Sequence, residues 1–143
     1  MIRRLFIALL APLALIAAES ASPAMPGRIV IREGCFFDTG ADKPFRPLGV
    51  NYFRIAPIRE GKEGHSTFSP ASYDKEFVNL MMETLARIGF NTVRTFLSYH
   101  SGANGIVATP ESGEPSPAYL HNVIHFLRAA QAHGIRVIFT WDT

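Results

Sequence analysis

The sequence predicts an α/β fold, a short β-hairpin followed by a parallel sheet built from βαβ units. Strand-like apolar runs stand at Pro47–Phe53, Thr92–Leu97 and Ile135–Trp141. Two helix-length segments with apolar residues at helical spacing alternate with them. Each of those segments closes on a glycine, Gly89 or Gly134, just before the next strand.

The chain has 143 residues, 48% hydrophobic and 18% charged, which excludes a disordered acidic or basic tail. Its N-terminus reads "MIRRLFIALLAPLALIAAESASPAMPG". Arg3 and Arg4 precede an apolar stretch, Leu5 to Ala18, and small residues follow, the pattern of a secretory signal peptide over residues 1–21 with cleavage between 18 and 24. The apolar run is shorter than the roughly 20 residues that span a bilayer, so no stable membrane span is expected after cleavage. Formal net charge is +2, and losing Arg3, Arg4 and Glu19 would make it +1. No basic run follows Arg4, so a nucleic-acid partner is not expected. Cys35 is the single cysteine, which leaves no intramolecular disulfide and reads as a small buried hydrophobe.

Ile29–Arg32 and Cys35–Phe37 read as two strands joined at Glu33-Gly34, and Thr39–Asp42 as a further turn. Pro47–Phe53 is mostly apolar, as for a strand covered on both faces. Arg54–Ser72 reads as a loop, with helix-start signals at Ser69-Pro70 and Ser72. In the helix that follows, Tyr73, Phe77, Leu80, Met81, Thr84, Leu85 and Ile88 make the expected buried stripe. Ser98–Ser116 is a second loop, and Ser116-Pro117 starts the second helix, with Leu120, Val123, Ile124, Leu127 and Ala130 as its stripe. Right-handed crossovers put both helices on one side of the sheet.

Two architectures fit this order, a doubly wound sheet and the opening of a (β/α)8 barrel. The strand Pro47–Phe53 leads into "RIAPIREGKEG", with no G-x-G-x-x-G and no phosphate-binding loop, so no nucleotide cofactor is expected. The strand ends instead carry Asn51, Tyr52 and Phe53, then Phe96, Ser98, Tyr99 and His100, then Thr140, Trp141 and Asp142. Rings for stacking pyranose faces, mixed with polar groups for hydroxyls, are the lining of a carbohydrate site. The competing reading is that the aromatics are core.

"GCFFDTGADKPFRPLGVNYF", "LARIGFNTVRTF" and "AAQAHGIRVIFTWD" resemble, in turn, the opening hairpin and first strand, the first helix and second strand, and the second helix and third strand of clan-A glycoside hydrolases. The resemblance runs from Ile29 to Asp142 and is nearest to family 5, the cellulase and mannanase type. It implies that residues 27–143 are the N-terminal portion of a TIM barrel, three β/α units preceded by a β-hairpin, so an incomplete barrel. It also implies that Arg94 points into the active site and orients a nucleophilic carboxylate. Alternation along the strand agrees, sending Val93, Thr95 and Leu97 to the helices and Arg94, Phe96 and Ser98 to the other face.

Retaining glycosidases use two carboxylates about 5 Å apart. In the resembled family these are glutamates after strands four and seven, and no glutamate here stands at a strand's C-terminal end. The third strand ends in Trp141-Asp142 where many members place a histidine. The expectation is therefore an N-terminal fragment of a secreted retaining glycosidase acting on β-linked oligo- or polysaccharide, inactive alone, with no cofactor and no metal. The alternative is a secreted, non-catalytic carbohydrate-binding or interaction protein. His121 and His125 stand at i and i+4, but Asn122 occupies the place of a metalloprotease glutamate, so they read as surface residues. His65 and the segment Arg59–Gly64 read as solvated loop.

Overall fold

The computed structural model describes residues 27–59, 62–98, 105–109, 111 and 113–142; the side chains of 57–59, 62, 63 and 142 are left aside. The leader read over residues 1–21 lies outside the described residues, as do Tyr99 and His100. Among the described residues no helix is long and apolar enough to cross a membrane.

Strands β1 (Ile29–Arg32) and β2 (Cys35–Asp38) form the expected antiparallel hairpin. Glu33 and Gly34 both have positive φ, 50° and 77°, the geometry of the two-residue turn whose twist matches its flanking strands. A short β3 (Lys43–Pro44) extends this sheet, pairing with β2 in the order β1-β2-β3. Cys35 is exposed, which corrects its reading as a buried hydrophobe: it is a turn-flanking position on a hairpin outside the core.

The parallel sheet has the expected order. Strand β4 (Gly49–Tyr52) pairs with β7 (Thr92–Ser98), and β7 with β8 (Arg136–Asp142), all parallel. Between β4 and the first helix lies a second hairpin, β5 (Ile55–Arg59) and β6 (Lys62–His65), antiparallel with a register shift between Pro57 and Arg59. This corrects the reading of Arg54–Ser72 as loop throughout. Pro57 is tolerated because the sheet has two strands, so both are edges.

Helix α1 (Lys75–Arg87) starts at Asp74, whose carboxylate accepts the Phe77 N–H at 2.9 Å. Ser69 and Ser72 belong instead to a separate turn closed by bonds onto the Ser69 carbonyl. Helix α2 (Pro117–Ala132) starts as expected, with Ser116 accepting the Tyr119 N–H and Pro117 in the first turn. Both helices end in the same motif. Gly89 and Gly134 take φ of 94° and 69°, and the next residues, Phe90 and Ile135, donate back to Leu85 and Ala130.

One core lies between the sheet and both helices. Val93 and Thr95 of β7 are fully buried there with Phe68, Val78, Met82, Tyr119 and Phe126. Phe68, from the loop after β6, is the hub, its ring 5.7 Å from Tyr119 and 5.3 Å from Phe126. The buried stripes differ from the expected ones. In α1 they are Val78, Met82 and Leu85, while Phe77, Leu80 and Ile88 are exposed. In α2 they are Tyr119, Asn122, Phe126, Ala129 and Ala130, while Ile124 and Leu127 are exposed. Each helix carries more apolar residues than one face holds, so contact with the sheet, rather than helical spacing, selects the buried set.

The N-terminal ends of the strands are tied by Asn91. Its side-chain oxygen accepts the Leu48 N–H at 2.8 Å, its amide donates to the Arg46 carbonyl at 2.9 Å, and its own carbonyl accepts the Arg136 N–H at 2.8 Å. One residue thus joins the approaches to β4, β7 and β8. The Arg136 side chain in turn reaches the hairpin sheet, donating to the Gly27 carbonyl and to Asp38, both at 2.6 Å.

Candidate functional site

The open face of the parallel sheet, away from the helices, follows from register. Asn51, Arg94 and Ile138 lie level across the three strands, with Phe96 and Thr140 level one step further along. Asn51, Arg94 and Ile138 are exposed. The buried Thr95 between Arg94 and Phe96 points to the helices, so alternation places the arginine opposite the core.

Arg94 is held on two sides. Its Nε–H donates to Thr140 Oγ1 at 2.9 Å, and its guanidinium carbon lies 4.8 Å from the centre of the Phe96 ring. Among the residues whose side chains are described, no ion pair includes it. It borders a depression of about 310 Å3 lined also by Gly49, Val50, Asn51 and Thr92. A planar cation fixed by a hydroxyl and a ring is prepared to meet an oxyanion or a carboxylate with a two-pronged contact.

Three rings stand at the C-terminal end of this face. Phe53 follows β4, Phe96 lies on β7, and His65 ends β6. The Phe53 and His65 centroids are 5.2 Å apart with planes 14° from parallel, and His65 meets Phe96 edge-on at 5.3 Å. Phe53 and Phe96 are 6.4 Å apart. Sequence reasoning read His65 as solvated loop because the β5–β6 pairing that carries it back to Phe53 leaves no strand-like pattern in the sequence. Thr140, expected at the end of its strand, lies level with Phe96.

Two of the site residues expected from the sequence, Asn51 and Arg94, are brought together on this face. Tyr52 is not. It is 6% exposed, on the helix side, its ring 5.2 Å from Phe126, because alternation from Asn51 turns it to the core. Burial pushes its phenol pKa up, against the opposing pull of Arg54. Trp141 is 60% exposed at the strand end, level with Leu97. Asp142 is paired through its backbone with Ser98 at the C-terminal end of β8. Ser98, expected on the open face, is buried, and its N–H donates to the Tyr119 hydroxyl at 3.0 Å.

The paired histidines of α2 join the helices. His125 Nδ1 lies 2.8 Å from the Tyr73 hydroxyl, and His121 Nε2 lies 3.2 Å from Lys75 Nζ. Burial, with Lys75, His121 and Arg128 nearby, pushes the His125 pKa down. Among the described residues no cluster of three or more histidine, cysteine or acidic side chains could hold a metal ion.

No protein-family model matches the chain, and no curated protein sequence matches it. One solved structure, described as "Glycoside hydrolase", superimposes on 83% of this chain with a TM-score of 0.51 and 15% sequence identity. The likeness is one of fold. It covers 27% of the length of that chain. The three parallel strands and two helices are thus an arrangement found within part of a glycoside hydrolase.

Proposed function

We propose that this chain supplies the first three β/α units, and one wall of the active site, of a secreted retaining glycoside hydrolase acting on β-linked oligo- or polysaccharides. The observation that carries the reading is Arg94. It stands in the middle strand, on the face away from the helices, level with Asn51 and clamped by Thr140 and Phe96. The fold likeness supports the class of enzyme. The exposed apolar residues Leu80 and Leu127 on the two helices, and the outer edges of β4 and β8, which pair with no further strand among the described residues, support continuation of the sheet into a barrel. The leader pattern supports secretion or a periplasmic location.

In this mechanism Arg94 is a positioning residue. Its guanidinium would hold the nucleophilic carboxylate ionised and aimed at the anomeric carbon, while a second carboxyl protonates the leaving oxygen. Neither carboxyl group is assigned to a residue of this chain, which on this reading does not hydrolyse glycosides by itself. The test has two parts. The gene is read past the Thr143 codon, and its full product is assayed on soluble β-glucan and β-mannan, with the anomeric configuration followed by NMR. Hydrolysis with retention is expected. A stop codon after Thr143, or a full product without glycosidase activity, overturns the enzyme reading.

A further inference from the structure

At its exposed edge the junction of α1 with α2 is made by two imidazoles. His121 and His125 stand one turn apart on α2, and both reach the start of α1. Lys75 Nζ lies 3.2 Å from His121 Nε2, and the Tyr73 hydroxyl lies 2.8 Å from His125 Nδ1. An ammonium only donates, so the first contact exists only while His121 Nε2 keeps its lone pair. Tyr73 can donate or accept, so the second contact is governed by charge instead. Burial lowers the His125 pKa below its ordinary 6.5, and Lys75, His121 and Arg128 lower it further. Burial and the neighbouring Tyr52 push the Tyr73 phenol up, so it stays a neutral hydroxyl. The acids at this end of α1 do not offset the positive charge. Asp74 accepts the Phe77 N–H, Glu76 is exposed, and among the described residues neither is within ion-pair distance of an imidazole, Lys75 or Arg128.

We propose that Tyr73, Lys75, His121 and His125 form a pH-sensitive latch, which closes the first turn of α1 onto α2 while both imidazoles are neutral and releases it when they are charged. In the closed state the Tyr73 ring also stacks beside Phe68, the hub of the core, at 6.4 Å. Release is confined to this edge. Asn122, which does not titrate, donates to the Phe68 carbonyl at 3.0 Å and holds the segment ahead of α1 at any pH. A lowered folded-state pKa gives stability that is present above the free value, 6.5, and is lost as pH falls through the lowered one. The latch therefore opens below 6.5, well above the range in which Asp38 titrates.

The test is amide hydrogen exchange followed by NMR on the full chain, at about pH 7.5 and about pH 5, each rate corrected for the intrinsic effect of pH. The Val78 N–H, bonded to the Asp74 carbonyl in the first turn of α1, should lose about tenfold in protection at the lower pH, the scale of one displaced imidazole pKa. The Ile135 N–H, just past the far end of α2, should keep its own. His121→Gln combined with His125→Gln offers each partner a hydrogen-bonding amide that does not titrate, so this double variant should protect Val78 equally at both pH values. In wild type, the His125 ring protons followed through a pH titration should give a pKa below 6.5. Equal protection of Val78 at the two pH values in wild type would overturn the latch, as would the same loss of protection in the double variant. A His125 pKa at or above 6.5 would overturn it even if the double variant failed to fold.

Discussion

Replacing Gly49 by alanine should loosen the whole parallel sheet. A Cβ at this position would fall 1.9 Å from the Thr92 carbonyl oxygen and 2.6 Å from its carbon. Real Cβ atoms keep at least 3.0 Å, and the obstructing atoms are backbone, so no side-chain rotation relieves the clash. Strand β4 would have to move by more than an ångström from β7. That displacement strains the ladder from Gly49 opposite Thr92 to Tyr52 opposite Thr95, and it lifts the buried Tyr52 from Phe126. Overpacking of this kind costs about 1–3 kcal/mol, and a weakened ladder bond adds about 1 kcal/mol. A loss near 3 kcal/mol is a large share of the 5–15 kcal/mol typical of a domain, and should lower the melting midpoint by roughly 10 °C or more. Urea unfolding followed by far-ultraviolet circular dichroism measures it. Gly34→Ala is the control: no atom lies within 4 Å of its Cβ, so only its positive φ is penalised, at about 1 kcal/mol. A Gly49→Ala protein within 0.5 kcal/mol of wild type would show that β4 and β7 do not approach as closely as described.

Three further outcomes follow from other contacts. Asn91→Ala removes the side-chain bonds to Leu48 and Arg46 and should cost about 2 kcal/mol in the same unfolding assay, with Asn91→Asp recovering only the accepting half. Burial would raise the Asp38 carboxyl, but the N–H groups of Ala41 and Gly40 and the Arg136 guanidinium outweigh it and hold the pKa below its ordinary 3.8. A lowered folded-state pKa stabilises above the ordinary value and loses that contribution as pH falls through the folded one, so the melting midpoint should drop below pH 3.8, and Asp38→Asn should flatten that drop. In the full gene product, Arg94→Ala should lower turnover of an aryl β-glycoside about a hundredfold, with Arg94→Lys recovering part because it keeps the charge without the planar fork. Near-wild-type turnover by a folded Arg94→Ala enzyme would separate the arginine from the catalytic carboxylate.

Much of the sheet was legible because its signals are local. Alternation, the two stop glycines and the Ser116-Pro117 start each act within a few residues, and each appears where expected. The buried helix faces were not legible. In α1, Phe77 and Leu80 compete with Val78, Met82 and Leu85, and nothing in helical spacing says which set meets β7. The β5–β6 hairpin was missed because "IREGKEGH" has charge and glycine where a strand usually has β-branched or aromatic residues. Two-stranded ribbons tolerate this, since both faces need not be covered.

The site divides in the same way. The place of Arg94 on the open face was legible because a charge in an apolar strand is a local anomaly, and Asn51 lies level with it through the register of β4 and β7. Tyr52 was misplaced because a strand end was treated as wholly facing the cleft, although alternation continues to its last residue. Asn91 and the Arg136–Asp38 pair hold the N-terminal ends of the strands, through bonds joining residues far apart in sequence. Toward the opposite ends stand the rings and Thr140, with Arg94 level with Asn51 one step before Phe96. A fold that tightens one end of its strands with polar ties can leave the other end open and polar without losing the sheet. That separation explains why Arg94→Ala should alter turnover with little effect on stability, while Asn91→Ala should do the reverse.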